Sequence, residues 1–219
     1  MDKSFWLDRW SRREVGFHQA RVNPYLERWW PQMQAPSGSA VFVPLCGKSL
    51  DMHWLREQGH HVLGIELARD AVGDFFAESG LTPRVTHQPP FERWDAEKVT
   101  LWCGDFFDLK AEHLARVSTV FDRASLIAMP PEMRPRYAQY MSSILPPHAA
   151  TLLVSLTYPQ GQMSGPPFSV SEDEIRNLYS DRYTIEQLAS IDVLDQNARF
   201  KQRGLTELSE QVYRLGPRA

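Results

Sequence analysis

From residue 40 onward, short runs of apolar, often β-branched residues alternate with stretches whose apolar positions recur at helical spacing. The runs at 40–45, 61–66, 99–103, 117–122 and 150–157 read as strands, and those at 50–59, 69–79, 111–116 and 132–145 as helices. This alternation predicts an α/β fold with a doubly wound, mostly parallel sheet. Two later extended runs, 183–193 and 205–215, predict an antiparallel pair at the sheet edge, so seven strands are expected in all. The segment 82–98 carries Pro83, Pro89 and Pro90 and reads as an irregular connection with at most a short added strand. Ser171-Glu172-Asp173-Glu174 has the form of a capping box, opening a helix that runs to about Tyr179.

Before residue 40 the pattern is helical. Residues 4–15 read as one helix with Ser4 as its N-cap, and Trp6 and Trp10, four apart, share a face. A second helix is expected from about Asn23 to Trp30, with Pro24 in its first turn. Trp29 and Trp30 are assigned to sealing the underside of the sheet. Trp6, Trp10 and Phe17 either pack in the same way or cover a ligand lying on the strand ends. No repeat or linker divides the chain, so residues 1–219 are expected to form a single domain with 1–35 as a helical cap.

The chemistry centres on Val41-Phe42-Val43-Pro44-Leu45-Cys46-Gly47-Lys48-Ser49-Leu50-Asp51, a strand, a tight turn and a helix start. Such a turn puts free backbone N–H groups at the mouth of a parallel sheet, where ligands of open α/β folds bind. A phosphate-binding P-loop would need a glycine at position 42, which is Phe42, inside the strand. The G-x-G-x-x-G fingerprint fails too, because Gly47 is the turn's one glycine. A ligand with a ribose but no phosphate, such as S-adenosylmethionine, fits what remains. Glu66, nineteen residues after Gly47 and at the end of the next strand, is placed to accept hydrogen bonds from both ribose hydroxyls.

Two further strand ends open on the same mouth. Asp105 and Phe106 can meet an adenine amino group and ring face, or can cap the next turn and fill the core. Arg123 points to where cofactor and acceptor would meet, where it would favour an anionic nucleophile. Its alternative is a salt bridge to Asp122 or another nearby acid. Arg199, in the loop 195–200, reads on its own as a solvated surface residue.

Composition narrows the class. With 24 Lys and Arg against 27 Asp and Glu, the net charge of −3 gives no reason to expect nucleic acid or an anionic membrane surface. No apolar run approaches the roughly 20 residues of a membrane span, and the start lacks a signal-peptide core, so a cytoplasmic protein is expected. If the strands ending near Cys46 and Cys103 lie on either side of a third, the two residues are about two strand spacings apart, ~9.5 Å. A bridge allows roughly 7 Å, so free thiols are expected. The seven histidines form no metal-ligand pattern, and G-x-S-x-G is absent.

Trp6-x-x-x-Trp10, Phe17-His18-Gln19, Phe42-Val43-Pro44-Leu45-Cys46-Gly47-Lys48, Gly64-Ile65-Glu66, Phe121-Asp122-Arg123 and Gly165-Pro166-Pro167-Phe168 together resemble the thiopurine S-methyltransferase family. They run in family order to about Tyr213. The resemblance implies a Rossmann-like, class I methyltransferase fold with S-adenosyl-L-methionine as cofactor. It implies that Trp10, Leu45, Glu66 and Arg123 contact the cofactor, with Trp6, Asp105 and Phe106 close by and Gly47 in the cofactor turn. It places Phe17 and Arg199 at the acceptor site, together with Arg123. Ala198 to Arg203 matches loosely, and Gly104-Asp105 departs from the small residues of animal members. The chain looks like a short, bacterial-type member without their longer N-terminal extension.

The activity so implied is S-methylation of small aromatic or heterocyclic thiols such as thiopurines, giving S-adenosylhomocysteine and a methyl thioether. The partner expected is a small-molecule thiol, and the protein is expected to be a monomer. Displacement at a sulfonium methyl needs chiefly alignment, so no side chain is assigned as a catalytic base. Two alternatives stand beside this reading: methylation of selenium or tellurium compounds, and a non-catalytic nucleotide-binding module.

Overall fold

A computed structural model describes residues 3–16 and 18–218. The chain runs α1 (Lys3–Ser11), α2 (Pro24–Trp29), β1 (Ala40–Val43), α3 (Asp51–Glu57), β2 (His61–Glu66), α4 (Arg69–Ser79), β3 (Arg84–Gln88), β4 (Phe91–Ala96) and β5 (Val99–Cys103). It continues through β6 (Val117–Arg123), α5 (Ser125–Ala128), α6 (Arg134–Ile144), β7 (Ala150–Thr157), α7 (Glu172–Tyr179), β8 (Tyr183–Asp192), α8 (Ala198–Gln202) and β9 (Ser209–Pro217). All nine strands join one sheet in the order β3-β4-β5-β2-β1-β6-β7-β9-β8. The five central strands, β5 to β7, are parallel, and the two pairs outside them are antiparallel.

Strand periodicity explains the two cores. In β1, Phe42 faces one side while Val41 and Val43 face the other, and all four residues of the strand are buried. On the first side Phe42, Ile65, Val120 and Leu153 pack under α6 and α7 through Tyr137, Met141, Ile175 and Tyr179. On the second, Val41, Val62, Phe121 and Leu152 meet α2, α3 and α4 through Leu26, Leu55 and Phe75. Each such fully buried side chain contributes about 1.5–3 kcal/mol. Trp30 is buried in the second core, where its indole N–H donates to His60 Nε2 at 3.1 Å. Trp29 packs partly buried against the same core.

Several elements differ from expectation. The sheet has nine strands, not seven, because 84–96 is a hairpin added beside β5. Its prolines misled the reading: Pro89 and Pro90 form the turn between the strands, and Pro83 lies before the first. β3 is an exposed edge strand, so it also lacks the apolar alternation that marks half-buried strands. α1 starts at Lys3 and ends at Ser11, so Ser4 lies inside it, and Arg13 at φ 56 turns the chain away. The expected helix at 111–116 is a single 3-10 turn, Ala111–Leu114. The helix expected from 132 begins as a 3-10 turn, Pro131–Met133, and becomes α-helical at Arg134. Ser171 does cap α7 by accepting the Glu174 N–H at 3.2 Å. The Glu174 carboxylate does not return to complete the box, because buried Arg134 holds both its oxygens at 2.8 and 2.7 Å.

Cys46 and Cys103 are free, and burial pushes both thiols up, Cys103 to about 11. No described helix is long and apolar enough to cross a membrane.

One buried acid makes stability pH-dependent. Asp122 lies inside the first core, where its Oδ2 accepts the Tyr137 hydroxyl at 2.9 Å. Burial pushes its carboxyl up from 3.8 to about 6, against the opposing hydrogen bonds from Ser125 and Tyr137. The unfolded group ionises near pH 4, so between the two values the folded chain binds more protons. The stability tied to this group is therefore complete below about pH 4 and is lost as pH rises through about 6. Melting temperatures of wild type and Asp122→Asn should diverge in favour of the variant across that window and stay parallel above about pH 7. A constant gap from pH 4 to 8 would show that Asp122 is ionised throughout.

Candidate active site

The carboxyl ends of β1, β2, β6 and β7 open into a cavity of about 690 Å³. Its floor is the turn after β1. Leu45 and Gly47 both adopt left-handed backbone, at φ 45 and 52, a conformation that disfavours a branched side chain such as Leu45. The turn thereby aims the Gly47 N–H at Glu66, whose Oε2 accepts it at 2.9 Å. Glu66 Oε1 accepts the Ala68 N–H at 2.8 Å. Burial raises the Glu66 carboxyl, and these backbone donors work against that rise. A carboxylate has about four lone-pair positions, so the backbone donors from Gly47, Leu67 and Ala68 leave acceptor capacity for a ligand.

Asp105 and Phe106 form the adjoining wall. Asp105 Oδ1 caps the following turn by accepting the Phe107 N–H at 2.9 Å, and Oδ2 pairs with Lys3 of α1. Phe106 is buried against Phe107 and Tyr137, so its core role and its place on the cavity coexist.

At the end of β6, Arg123 lines the cavity, and Ala124 at φ 70 ends the strand abruptly behind it. The acid it pairs with is Asp51, not Asp122: Nε donates to Asp51 Oδ2 at 3.1 Å. A recess of about 50 Å³ shares Trp10, His18, Leu45, Gly47 and Arg123 with the main cavity. His18 sits there with its imidazole pushed down by burial and then by the Lys48 charge.

The N-terminal segment closes one side. Trp10 packs on Ala68 and Ala71 at the start of α4. A Cβ on Gly47 would lie 3.1 Å from Trp10 Cζ2. Lys48 joins Glu78 at 2.5 Å and Asp74 at 3.6 Å, and Arg13 reaches Asp74 at 3.5 Å, fastening the end of this segment to α4. Opposite, Pro166 and Pro167 line the cavity from the loop after β7, where the Phe168 N–H donates to Ile127 O at 2.7 Å. Arg199 is exposed on α8, but its Nη1 donates to Gly16 O at 3.2 Å and it borders the cavity.

Trp6, Trp10, Leu45, Gly47, Glu66, Asp105, Phe106, Arg123 and Arg199 therefore share one cavity. Phe17 lies outside the described residues, while Gly16 and His18 beside it line the wall. Sequence reasoning gave no role to Asp51, which looks like an ordinary acid in a first helical turn. It also passed over Tyr25, whose hydroxyl bonds to cavity-lining Glu210 and so ties α2 to β9. Nothing in the local sequence signals that pairing.

Comparison with known proteins adds to this geometry. The sequence profile of the thiopurine S-methyltransferase (TPMT) family matches residues 1–218. A thiopurine S-methyltransferase of Nitrosospira multiformis is 53% identical over 215 residues, covering 98% of each chain. One from Pseudomonas putida is 50% identical over 215 residues, covering 98% of this chain and 99% of the relative. Among solved structures, the fold is similar to a Burkholderia thailandensis 1,6-didemethyltoxoflavin-N1-methyltransferase with bound S-adenosylhomocysteine. The TM-score is 0.64 at 16% identity, over 98% of this chain and 87% of that one. A SAM-dependent methyltransferase from Anabaena variabilis gives a TM-score of 0.64 at 13% identity, over 99% and 95%.

The contact between Trp10 and Gly47 can be separated from backbone strain. Gly38 also has positive φ, 73, but open space around its missing Cβ. Gly38→Ala should cost about 1 kcal/mol through the backbone alone. Gly47→Ala should cost more and alter the near-ultraviolet dichroism of the tryptophans, because Trp10 must give way. Equal melting temperatures and spectra for the two variants would show that Trp10 does not rest on the turn.

Proposed function

Because the chain belongs to the thiopurine S-methyltransferase family, and so is an S-adenosylmethionine-dependent methyltransferase, we propose that its acceptors are small aromatic or heterocyclic thiols. The observation that carries the reading is the polarity of one continuous cavity. It has a carboxylate at the end of β2, an arginine at the end of β6, and a second arginine on α8, whose Phe200 shares an apolar cluster with Leu156 of β7. Its volume of about 690 Å³ lies in the usual range for ligand sites and leaves room for an acceptor beside a nucleoside.

On this reading Glu66 accepts both ribose hydroxyls through its carboxylate oxygens. Leu45 and Phe106 flank the adenine, Asp105 meets its amino group, and Trp6 and Trp10 cover the ligand. Residues 1–35 act as the cap. Arg123 stands between cofactor and acceptor, with Phe17 and Arg199 on the acceptor. The fit to the cofactor rests on donor chemistry: a buried carboxylate suits a ribose, and a turn with one glycine suits a ligand without phosphate. When bound, S-adenosylmethionine supplies a methyl group already activated on a sulfonium. The chain's own residues then hold the acceptor sulfur in line, exclude water and favour its thiolate through the nearby guanidinium. His18 is held toward its neutral form and is not assigned as a base.

The test is S-adenosylhomocysteine formation with thiophenol and a thiopurine, against phenol and aniline as isosteres. Transfer confined to the thiols is expected, and equal rates on the isosteres would sink the thiol assignment. With a thiol acceptor, Arg123→Lys should slow transfer most at low pH, and the deficit should shrink as the free thiol ionises unaided. A pH-independent deficit would assign Arg123 to positioning instead. Glu66→Ala should weaken S-adenosylmethionine binding at least tenfold by calorimetry, since a hydrogen bond to a charged group is worth roughly 1.5–3 kcal/mol. Unchanged affinity in the folded variant would remove Glu66 from the cofactor site.

A further inference from the structure

Asp51 opens α3, is 2% exposed, and gathers donors from three separate parts of the chain. Its Oδ1 accepts the Asn23 backbone N–H at 2.7 Å. Its Oδ2 accepts the Ser49 hydroxyl at 2.8 Å and Arg123 Nε at 3.1 Å. Asn23 is the cap of α2, with its own side chain accepting the Tyr25 N–H at 2.9 Å. One carboxylate therefore joins the N-terminal segment, the turn after β1 and the end of β6.

The way Arg123 is held matters. It spends only Nε on Asp51, and among the described residues its two terminal nitrogens make no hydrogen bond or ion pair. A guanidinium is planar, so fixing Nε fixes the direction of the remaining donors. An acid needed only to start α3 would not require a partner 72 residues away. The pair is also nearly dry, with the Arg123 side chain 16% exposed, so its geometry is not averaged by solvent.

We propose that Asp51 is a positioning residue, setting the Arg123 fork in the cavity and tying it to the docked N-terminal segment. The effect on turnover rests on the role given to Arg123 above. Asp51→Asn keeps the size and the acceptor for Asn23 but puts an amide donor opposite Arg123 Nε. In the full chain, with thiophenol as acceptor, Asp51→Asn should lower kcat/KM about tenfold. In an Arg123→Gln background the same change should cost less than about twofold. Asp51→Glu should restore part of the loss.

A second readout needs no turnover. In protein labelled with ¹⁵N-arginine, the Arg123 Nε–H resonance should be exchange-protected in wild type, lost in Asp51→Asn and retained in Asp51→Glu. Equal losses of kcat/KM in both backgrounds, or an unchanged Arg123 resonance in Asp51→Asn, overturns the proposal. If Arg123→Gln turns over thiols as well as wild type, or wild type turns over none, the role of Arg123 in turnover fails, and the resonance alone decides whether Asp51 positions it. Should Asp51→Asn not fold, Asp51→Ser, whose side chain is too short to reach Arg123, is carried through the same cycle, and loss or retention of the Arg123 resonance and its coupling to Arg123→Gln decide in the same way.

Discussion

A carboxylate buried at the end of a strand needs donors if it is to stay charged, and Glu66 finds them in the backbone. Gly47 N–H comes from the turn after β1 and Ala68 N–H from the start of α4, so this one side chain ties the turn after β1 to the connection that follows its own strand, β2. The left-handed backbone at Leu45 and Gly47 is the local cost of bringing the turn into reach. Trp10 then rests on the bare face that Gly47 leaves, and α1 follows. The floor, the carboxylate and the covering helix are thus one mechanical unit.

The second unit is built around an arginine and works differently. Arg123 is held by a side chain, while Glu66 is held by main chain. The Glu66 end of the cavity is accordingly held by main chain. The other end is lined by side chains from β6 and α8, with Arg123 held by Asp51 of α3.

Much of this was legible in the sequence. The central strands were clear because both their faces are buried, as the apolar run of β1 and the largely apolar run of β7 reflect. Glu66 could be found because its distance from Gly47 is fixed by one helix and one strand. The hairpin at 84–96 was not legible, since an exposed edge strand carries no apolar signature and its prolines read as breaks. Asp51 was hidden for another reason. An acid in a first helical turn is so common that its pairing with Arg123 appears only once β1 and β6 are seen side by side. Arg199 shows the limit from the opposite direction: it is exposed, and its place at the cavity comes from a long-range contact with Gly16.

The order in which these pieces are made has its own consequence. Residues 3–11 emerge from the ribosome before everything α1 rests on: Gly47, Ala68, Ala71 and the Asp105 that binds Lys3. A helix of nine residues is too short to persist alone in water. An element synthesised before its partners is therefore among the last to settle, waiting until β5 has joined the sheet. The cavity wall that α1 supplies is thus completed only after the core behind it has closed.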